Sequence, residues 1–269
     1  MRGLHSSAVP VPTVLGTSEE GPPLGYPYFL MNYIEGVVIS SPDTASTLLT
    51  PKGQETLAFD LMRILSVIHT VNAAVIGLHP SRRTGTYLQR QLDIWSGRQR
   101  EQESSTSRLL LEVELRIRTR LSAMQPSVSL LHGDYHLGNV IASAEGSIKT
   151  VLDWEMVSSG EPLVDLAVAL AYWQHPDDDP ELAALPSRAF GFASRHEMAL
   201  SYAMWSGRSI QNLDVYIAFA HWKLAHIAAD IYSRYVSGKM GPLEVELDVI
   251  ARQPLARGKA ALDALYGRW

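Results

Sequence analysis

Apolar residues recur at helical spacing along most of this chain. From Gln54 onward Leu57, Leu61, Ile64, Leu65 and Ile68 fall on one face of a 3.6-residue repeat, and His69 closes it. A second stripe, Leu110, Val113, Ile117, Leu121 and Met124, runs up to Pro126, which is expected to stop the helix. Leu163, Leu166, Ala167 and Leu170 follow Pro162, a residue suited to the first helical position. Val215, Phe219, Trp222 and His226 mark another helix, and Leu262 and Leu265 a last one. Two regions break this texture. The first is the start: Met1–His5 reads as the end of a helix running into an extended Val9–Leu15. A Gly/Pro-rich turn over Gly21–Gly25 then precedes a β-prone run, Tyr28–Ile34, closed by Glu35-Gly36. The second is a pair of short apolar runs, Ser129–Leu131 and Thr150–Leu152, framing a loop rich in His, Gly, Asp and Asn. Two short strands around a polar loop predict a site held on rigid supports. The pattern as a whole predicts an α+β fold with a small β segment followed by a mostly helical body.

Composition narrows the chemistry. The 269 residues, 46% hydrophobic and 19% charged, suit one large domain or two modest ones with a real core. A net charge of -5 provides no basic field for a nucleic-acid backbone or an anionic membrane, so neither is an expected partner. The absence of cysteine excludes disulfides, thiolate metal sites and a Cys nucleophile, and permits a reducing compartment. No apolar run approaches the ~20 residues of a membrane span, and residues 1–12 lack the basic-then-apolar order of a signal peptide. A cytoplasmic location is the expectation.

The strongest local signal is His132-Gly133-Asp134-Tyr135-His136-Leu137-Gly138-Asn139, followed after a short strand by Asp153-Trp154-Glu155. Phosphoryl transfer needs a carboxylate near the acceptor hydroxyl and oxygen ligands for the metal bridging the nucleotide phosphates. One Asp, one Asn and a second Asp at this spacing supply that set. A polar loop that merely caps its neighbours is the bland alternative, since Asp and Asn are common turn formers. His132 is expected to bond nearby backbone, and His136 is open between loop packing and substrate contact. The acidic run Asp177–Asp179 with Glu181 reads as a solvated loop. His221 and His226 lie five apart, not the four that puts two zinc ligands on one helical face. Trp173, Trp205 and Trp222 read as core. A G-x-S-x-G elbow and a P-loop are both missing from the sequence, which weighs against a hydrolase of that type and a P-loop enzyme.

The loop resembles the catalytic loop of the protein-kinase-like superfamily in its aminoglycoside-phosphotransferase form, with His-Gly-Asp for His-Arg-Asp and Asp-Trp-Glu for Asp-Phe-Gly. The resemblance implies a protein-kinase-like fold and an ATP- and Mg²⁺-dependent enzyme acting on a small-molecule hydroxyl. It implies Asp134 as base or orienting carboxylate, Asn139 and Asp153 as metal ligands, and Glu155 as a more distant metal contact. Tyr28–Gly36 is similar to the last N-lobe strand and hinge, so Met31, Asn32 and Tyr33 would offer backbone to the adenine; the usual acidic residue is Asn32 here. Gly160-Glu161-Pro162-Leu163-Val164-Asp165-Leu166-Ala167 resembles the family segment whose Asp, here Asp165, braces the loop. The stretch from Ser194-Arg195 through Trp222-Lys223-Leu224-Ala225 to Ile231-Tyr232 resembles the branch of kinase-like domains associated with acyl-CoA dehydrogenases.

On this reading residues 1–36 are a remnant of the N-lobe and residues 37–269 the helical C-lobe. The family's nucleotide-binding hairpin, strand Lys and helical Glu have no counterpart in the sequence, so Met1 is expected to be an internal Met of a longer frame. A catalytically inactive kinase-like binding protein is the alternative, and a hydrolase using the same metal site a third.

Overall fold

The computed structural model describes residues 1–19, 21, 24–78, 84–97, 104–122, 124, 127–175, 178–182, 185–241 and 246–269. Pro22, Pro23, Pro80–Arg83, Pro126 and Asp177 therefore lie outside the described residues.

A 3-10 turn at Arg2–Leu4 stands where the sequence suggested a helix end, and Leu4 is buried there. Strand β1 (Val14–Ser18) pairs antiparallel with β2 (Tyr28–Met31). Helix α1 (Pro42–Leu48) starts at Ser41 through a reciprocal capping box with Thr44. Helix α2 (Pro51–Ile68) starts where the Thr50 hydroxyl accepts from the Gly53 N–H at 3.1 Å, with Pro51 in the first position. Its predicted stripe is buried throughout. Helix α3 (Tyr87–Ser96) carries a Thr86–Gln89 box, and the buried Glu161 carboxylate adds acceptors for the Tyr87 and Leu88 N–H groups. Helix α4 (Ser105–Leu121) ends before Met124, the last residue of its predicted stripe.

The centre is a set of short strands. β3 (Ser129–Leu131) pairs with β6 (Ser158–Gly160), and β4 (Val140–Ala142) with β5 (Ile148–Val151), each pair antiparallel. The two strands predicted around the polar loop thus exist, shifted to Ile148–Val151 for the second, but each pairs with a strand nearer to it in sequence or across the loop rather than with the other. Helix α5 (Pro162–Ala171) is buried at every position, as an apolar-all-round helix must be. The carbonyls at its C-terminal end, Leu170, Ala171 and Trp173, accept from Arg195 and Arg257, two guanidinium groups that suit the negative end of the helix. Helices α6 (Arg195–Ser206), α7 (Leu213–Val236) and α8 (Leu247–Leu265) complete the body. Among the described residues no helix is long and apolar enough to cross a membrane.

Three expectations need correction. Trp173 and Trp222 are core, but Trp205 is 54% exposed, because it follows Met204 on the outward side of α6. Trp173 lies beyond α5 rather than in a helix, its indole donating to the Ala193 carbonyl at 2.8 Å. Asp178 is not a solvated charge: it is half-enclosed and ion-paired with Arg195.

His226 marks a stress in the α7 face. Its ring meets Trp222 edge-on with centroids 4.3 Å apart, and neither ring nitrogen has a hydrogen-bond partner among the described residues. Burial pushes its pKa down to about 4, against the charge of Glu114, which raises it. The unfolded chain then binds this proton more readily. The stabilising contribution is present above about pH 6.5, the ordinary value, and is lost as pH falls toward 4. Urea titrations at several pH values should therefore show a shallower acid loss of stability in His226→Phe than in the parent; an unchanged pH slope would contradict this.

Candidate active site

The loop between β3 and β4 is fixed before any ligand arrives. Tyr135 is fully buried and its hydroxyl donates to the Leu61 carbonyl in α2 at 2.9 Å. Asp165, in the first turn of α5 and without solvent exposure, accepts from the His132 N–H at 2.6 Å and the Gly133 N–H at 2.9 Å. Gly133 has φ +91, and a Cβ there would collide with the Met156 carbonyl, so the bend requires glycine. These two bonds join the start of α5 to the loop.

His132 joins the two halves of the motif. Its Nε2 donates to the Leu152 carbonyl at 2.8 Å, and its Nδ1 accepts from the Asp134 N–H at 3.3 Å. That pattern requires the neutral ring with hydrogen on Nε2. Burial lowers the His132 pKa, against the charges of Asp165, Asp134 and Asp153 and the bond to Leu152, so the ring stays neutral. The Leu152 N–H donates back to the Asn139 carbonyl at 2.8 Å. Asp134, Asn139 and Asp153 are thus tied into one unit by backbone as well as ring.

Within that unit the Asn139 amide donates to the Asp134 carbonyl at 2.9 Å and approaches Asp134 Oδ2 at 3.4 Å. Its side-chain oxygen has no donor among the described residues. Asp153 adopts φ 57, ψ 62, a left-handed conformation uncommon for a residue with a Cβ. It is held there by His132 on the preceding carbonyl and by buried Trp154 on the other side, whose indole donates to the Val151 carbonyl at 3.0 Å. The Asp153 carboxylate is exposed and makes no hydrogen bond among the described residues. Glu155 is also exposed, in the 3-10 turn Trp154–Met156. Among the described residues no group of three or more His, Asp and Glu side chains is placed to cage a metal. Magnesium does not need one, since it is commonly held by one or two carboxylates, waters and substrate phosphates.

His136 turns the other way. Its ring stacks on Tyr172 with centroids 4.4 Å apart, its Nδ1 accepts from the Gly138 N–H, and its Nε2 stands 3.6 Å from Asp134 Oδ2. Burial alone would raise the Asp134 pKa. The bond and charge of His136, with the charge of Lys223, outweigh it and hold the carboxylate below its ordinary value. Burial pushes the Tyr172 hydroxyl up to about 12, and the Asp134 charge adds to that rise.

Tyr172, stacked on His136, was not singled out in the sequence. The hinge residues are placed apart. Met31 pairs with Val14, the Asn32 N–H donates to the Thr13 carbonyl, and Asn32 Oδ1 accepts from the Thr13 N–H at 2.6 Å. Tyr33 is exposed between this ladder and the Val37–Ala142 bridge. The described pairing and hydrogen bonds join Met31 and Asn32 to β1 and its approach, not to the loop.

Comparison with known proteins agrees with this architecture. The chain is 29% identical over 248 residues to acyl-CoA dehydrogenase family member 10 of Mus musculus, a match covering 89% of this chain and 22% of that protein. It is 24% identical over 260 residues to family member 11 of Pongo abelii, covering 95% of this chain and 33% of that one. The chain thus spans a third or less of these curated relatives. Among solved structures, a protein of Ralstonia eutropha JMP134 provisionally named an aminoglycoside phosphotransferase superposes with a TM-score of 0.79 at 24% identity, covering 97% of this chain and 80% of that one. Aminoglycoside phosphotransferase APH(4)-Ia, in ternary complex with ADP and hygromycin B, superposes with a TM-score of 0.65 at 16% identity, covering 98% and 80%. These likenesses establish the kinase-like fold. The profile of the phosphotransferase enzyme family (APH) matches residues 1–200, and the chain belongs to that family.

Proposed function

We propose that this chain transfers the γ-phosphoryl group of ATP, with Mg²⁺, to a hydroxyl of a small molecule. The observation that carries the reading is the pairing of two unengaged oxygen ligands, Asn139 Oδ1 and the Asp153 carboxylate, with a partly enclosed Asp134 carboxylate in one rigid unit. Family membership and the fold neighbours support it; APH(4)-Ia has been solved with ADP or AMP-PNP and hygromycin B.

Asn139 and Asp153 would hold the metal, with Glu155 as a more distant contact. When bound, Mg-ATP supplies the transferable phosphoryl group and the charge that screens its oxygens. Asp134 accepts a hydrogen bond from the acceptor hydroxyl, orients it and takes its proton as the bond from that oxygen to the γ-phosphorus forms and the bond from the γ-phosphorus to the bridging oxygen breaks, releasing ADP. Its lowered pKa suits orientation more than strong basicity, in keeping with a loose transition state in which the proton moves late. His132 keeps the two motifs in register, and Asp165 holds the loop. Met31, Asn32 and Tyr33 present backbone to the adenine. Residues 1–36 serve the adenine, and residues 37–269 carry the catalytic loop and the metal ligands. A hydroxyacyl or similar metabolic acceptor fits the curated relatives' acyl-CoA dehydrogenase names better than an antibiotic does.

Thermal unfolding with Mg-ATP tests the metal and nucleotide assignment. At ~100 times its dissociation constant a ligand stabilises by about 2.7 kcal/mol, a shift of several degrees. The parent should show that rise only with Mg²⁺, and Asp153→Asn should lose most of it; a parent with a cooperative melt and no shift at millimolar Mg-ATP would sink the reading. Asp134→Asn tests the acceptor side. It should keep the nucleotide-induced shift while kcat for phosphoryl transfer drops by roughly 10²–10⁴, and a kcat within threefold of the parent would remove Asp134 from the reaction.

A further inference from the structure

A cavity of about 470 Å³ opens between the start of α6, α8 and the segment that follows α5, and none of its described lining residues belongs to residues 132–139 or 153–155. Its volume suits a small ligand. His221, on α7 and 5% exposed, forms part of the lining. The ring's Nδ1 stands 3.2 Å from Arg257 Nη1. A guanidinium only donates, so Nδ1 accepts, and the hydrogen of the neutral ring is on Nε2. Burial pushes the His221 pKa well below its ordinary value, and the charges of Arg257 and Arg195 add to the fall, so the ring stays neutral. Nε2 has no hydrogen-bond partner among the described residues and is not enclosed, so its N–H opens on the cavity.

Behind that donor lies a cation with no carboxylate in contact. Arg257 is 6% exposed, its Nη1 donates to the Ala171 carbonyl at 2.7 Å as well as to His221, and it forms no ion pair among the described residues. The acids lining the cavity are engaged elsewhere. Asp178 accepts from Arg195 Nη1 at 3.0 Å, Asp263 from Arg268 Nε at 3.1 Å, and Asp179 Oδ1 from the Glu181 N–H at 2.9 Å. Lys259, an exposed residue of the lining, forms no ion pair among the described residues. A buried cation without an anion is costly to keep. A guanidinium bonded to one imidazole nitrogen also polarises the ring, which strengthens the opposite N–H as a donor to negative charge.

We propose that this cavity binds a small organic anion, a carboxylate or phosphate on a compact apolar body, with one oxygen on His221 Nε2–H and its charge shared with Lys259. Leu182, Ala256 and Ala260 offer the body an apolar wall. A neutral ligand in the same place leaves Arg257 without a counter-charge, and a cationic one adds to the charge already there. The site stands on the geometry of this cavity and does not depend on the phosphotransferase reading.

The test uses benzoate, phenyl phosphate, benzamide and benzylamine, which share one ring and differ in the group attached to it. Binding to the full chain is measured by calorimetry with and without Mg-ATP, for the parent, His221→Phe, His221→Gln and Lys259→Ala, each checked for a cooperative melt. At least one of the two anions should bind the parent about tenfold or more tighter than benzamide and benzylamine, and the tighter of the two identifies the oxyanion. His221→Phe should weaken that anion about tenfold or more, and Lys259→Ala about threefold or more. His221→Gln, whose amide N–H can stand in for Nε2–H, should stay within about threefold of the parent. Saturating Mg-ATP should leave the affinity for the anion unchanged. If His221→Phe does not melt cooperatively, Lys259→Ala at its exposed position decides. The proposal is overturned if the parent binds neither anion, if benzamide or benzylamine binds as tightly, if the deciding variant binds the anion like the parent, or if Mg-ATP displaces the anion, which would put it in the nucleotide site instead.

Discussion

One buried carboxylate organises this molecule. Asp165 is wholly removed from water, and a charge so placed survives only where donors replace its hydration. The donors are the backbone N–H groups of His132 and Gly133, so the charge that α5 brings to the centre is neutralised by the very loop that carries Asp134. The helix N-terminus adds its own favourable field. On the far side His69, at the end of α2, places its Nε2 3.5 Å from Asp165 and its Nδ1 2.8 Å from the Tyr202 hydroxyl of α6. Arg208 donates to the His69 carbonyl at 3.1 Å. Helices α2, α5 and α6 and the loop therefore share one electrostatic knot, and the loop cannot shift without exposing the charge at its centre.

That knot divides the site by polarity. Forward of it stand oxygens with nothing to bind: the Asp153 carboxylate, Glu155 and Asn139 Oδ1. Behind it stand His136 and Tyr172, with Arg257 donating to the Ala171 carbonyl one residue before Tyr172. Asp134 lies on the boundary and feels both sides. Its depressed pKa is the electrical signature of that position, since burial by itself would have acted the other way. A carboxylate held in this way is suited to accept a hydrogen bond from a hydroxyl.

The parts of this arrangement visible in the sequence are those set by short-range rules. The stripes of α2, α4, α5 and α7 were legible because a 3.6-residue repeat needs no knowledge of the partner surface. The motif from His132 to Asn139 was legible because its spacing is local. Helices α1, α3 and α6 were not read, although Ser41, Thr86 and Ser194 each start one with a capping box, because a cap alone does not distinguish a short helix from a turn. The pairing of β3 with β6 and of β4 with β5 was hidden for a different reason: strands of three or four residues carry too little pattern to choose a partner. Asp178 looked like a solvent-facing acid because Arg195, which pairs with it, lies far along the chain. Trp205 looked like core because the indole is large and apolar, and only its helix face reveals otherwise.

Lys223 shows most clearly what such reading omits. A lone lysine in an apolar helix has two physical solutions: its stem can lie along the surface while the head reaches water, or its head can be buried against an opposite charge. Sequence cannot choose, because the choice depends on what the helix packs against. Here α7 packs on α5, the helix that carries Asp165, and the residue is 8% exposed, so the stem is enclosed by the helical body. Burial lowers the pKa of the ammonium, and the charges of Asp134 and Asp165 oppose that loss. Which of the two solutions a lysine adopts is thus decided by the neighbouring helix, a fact the spacing of apolar residues along α7 does not contain.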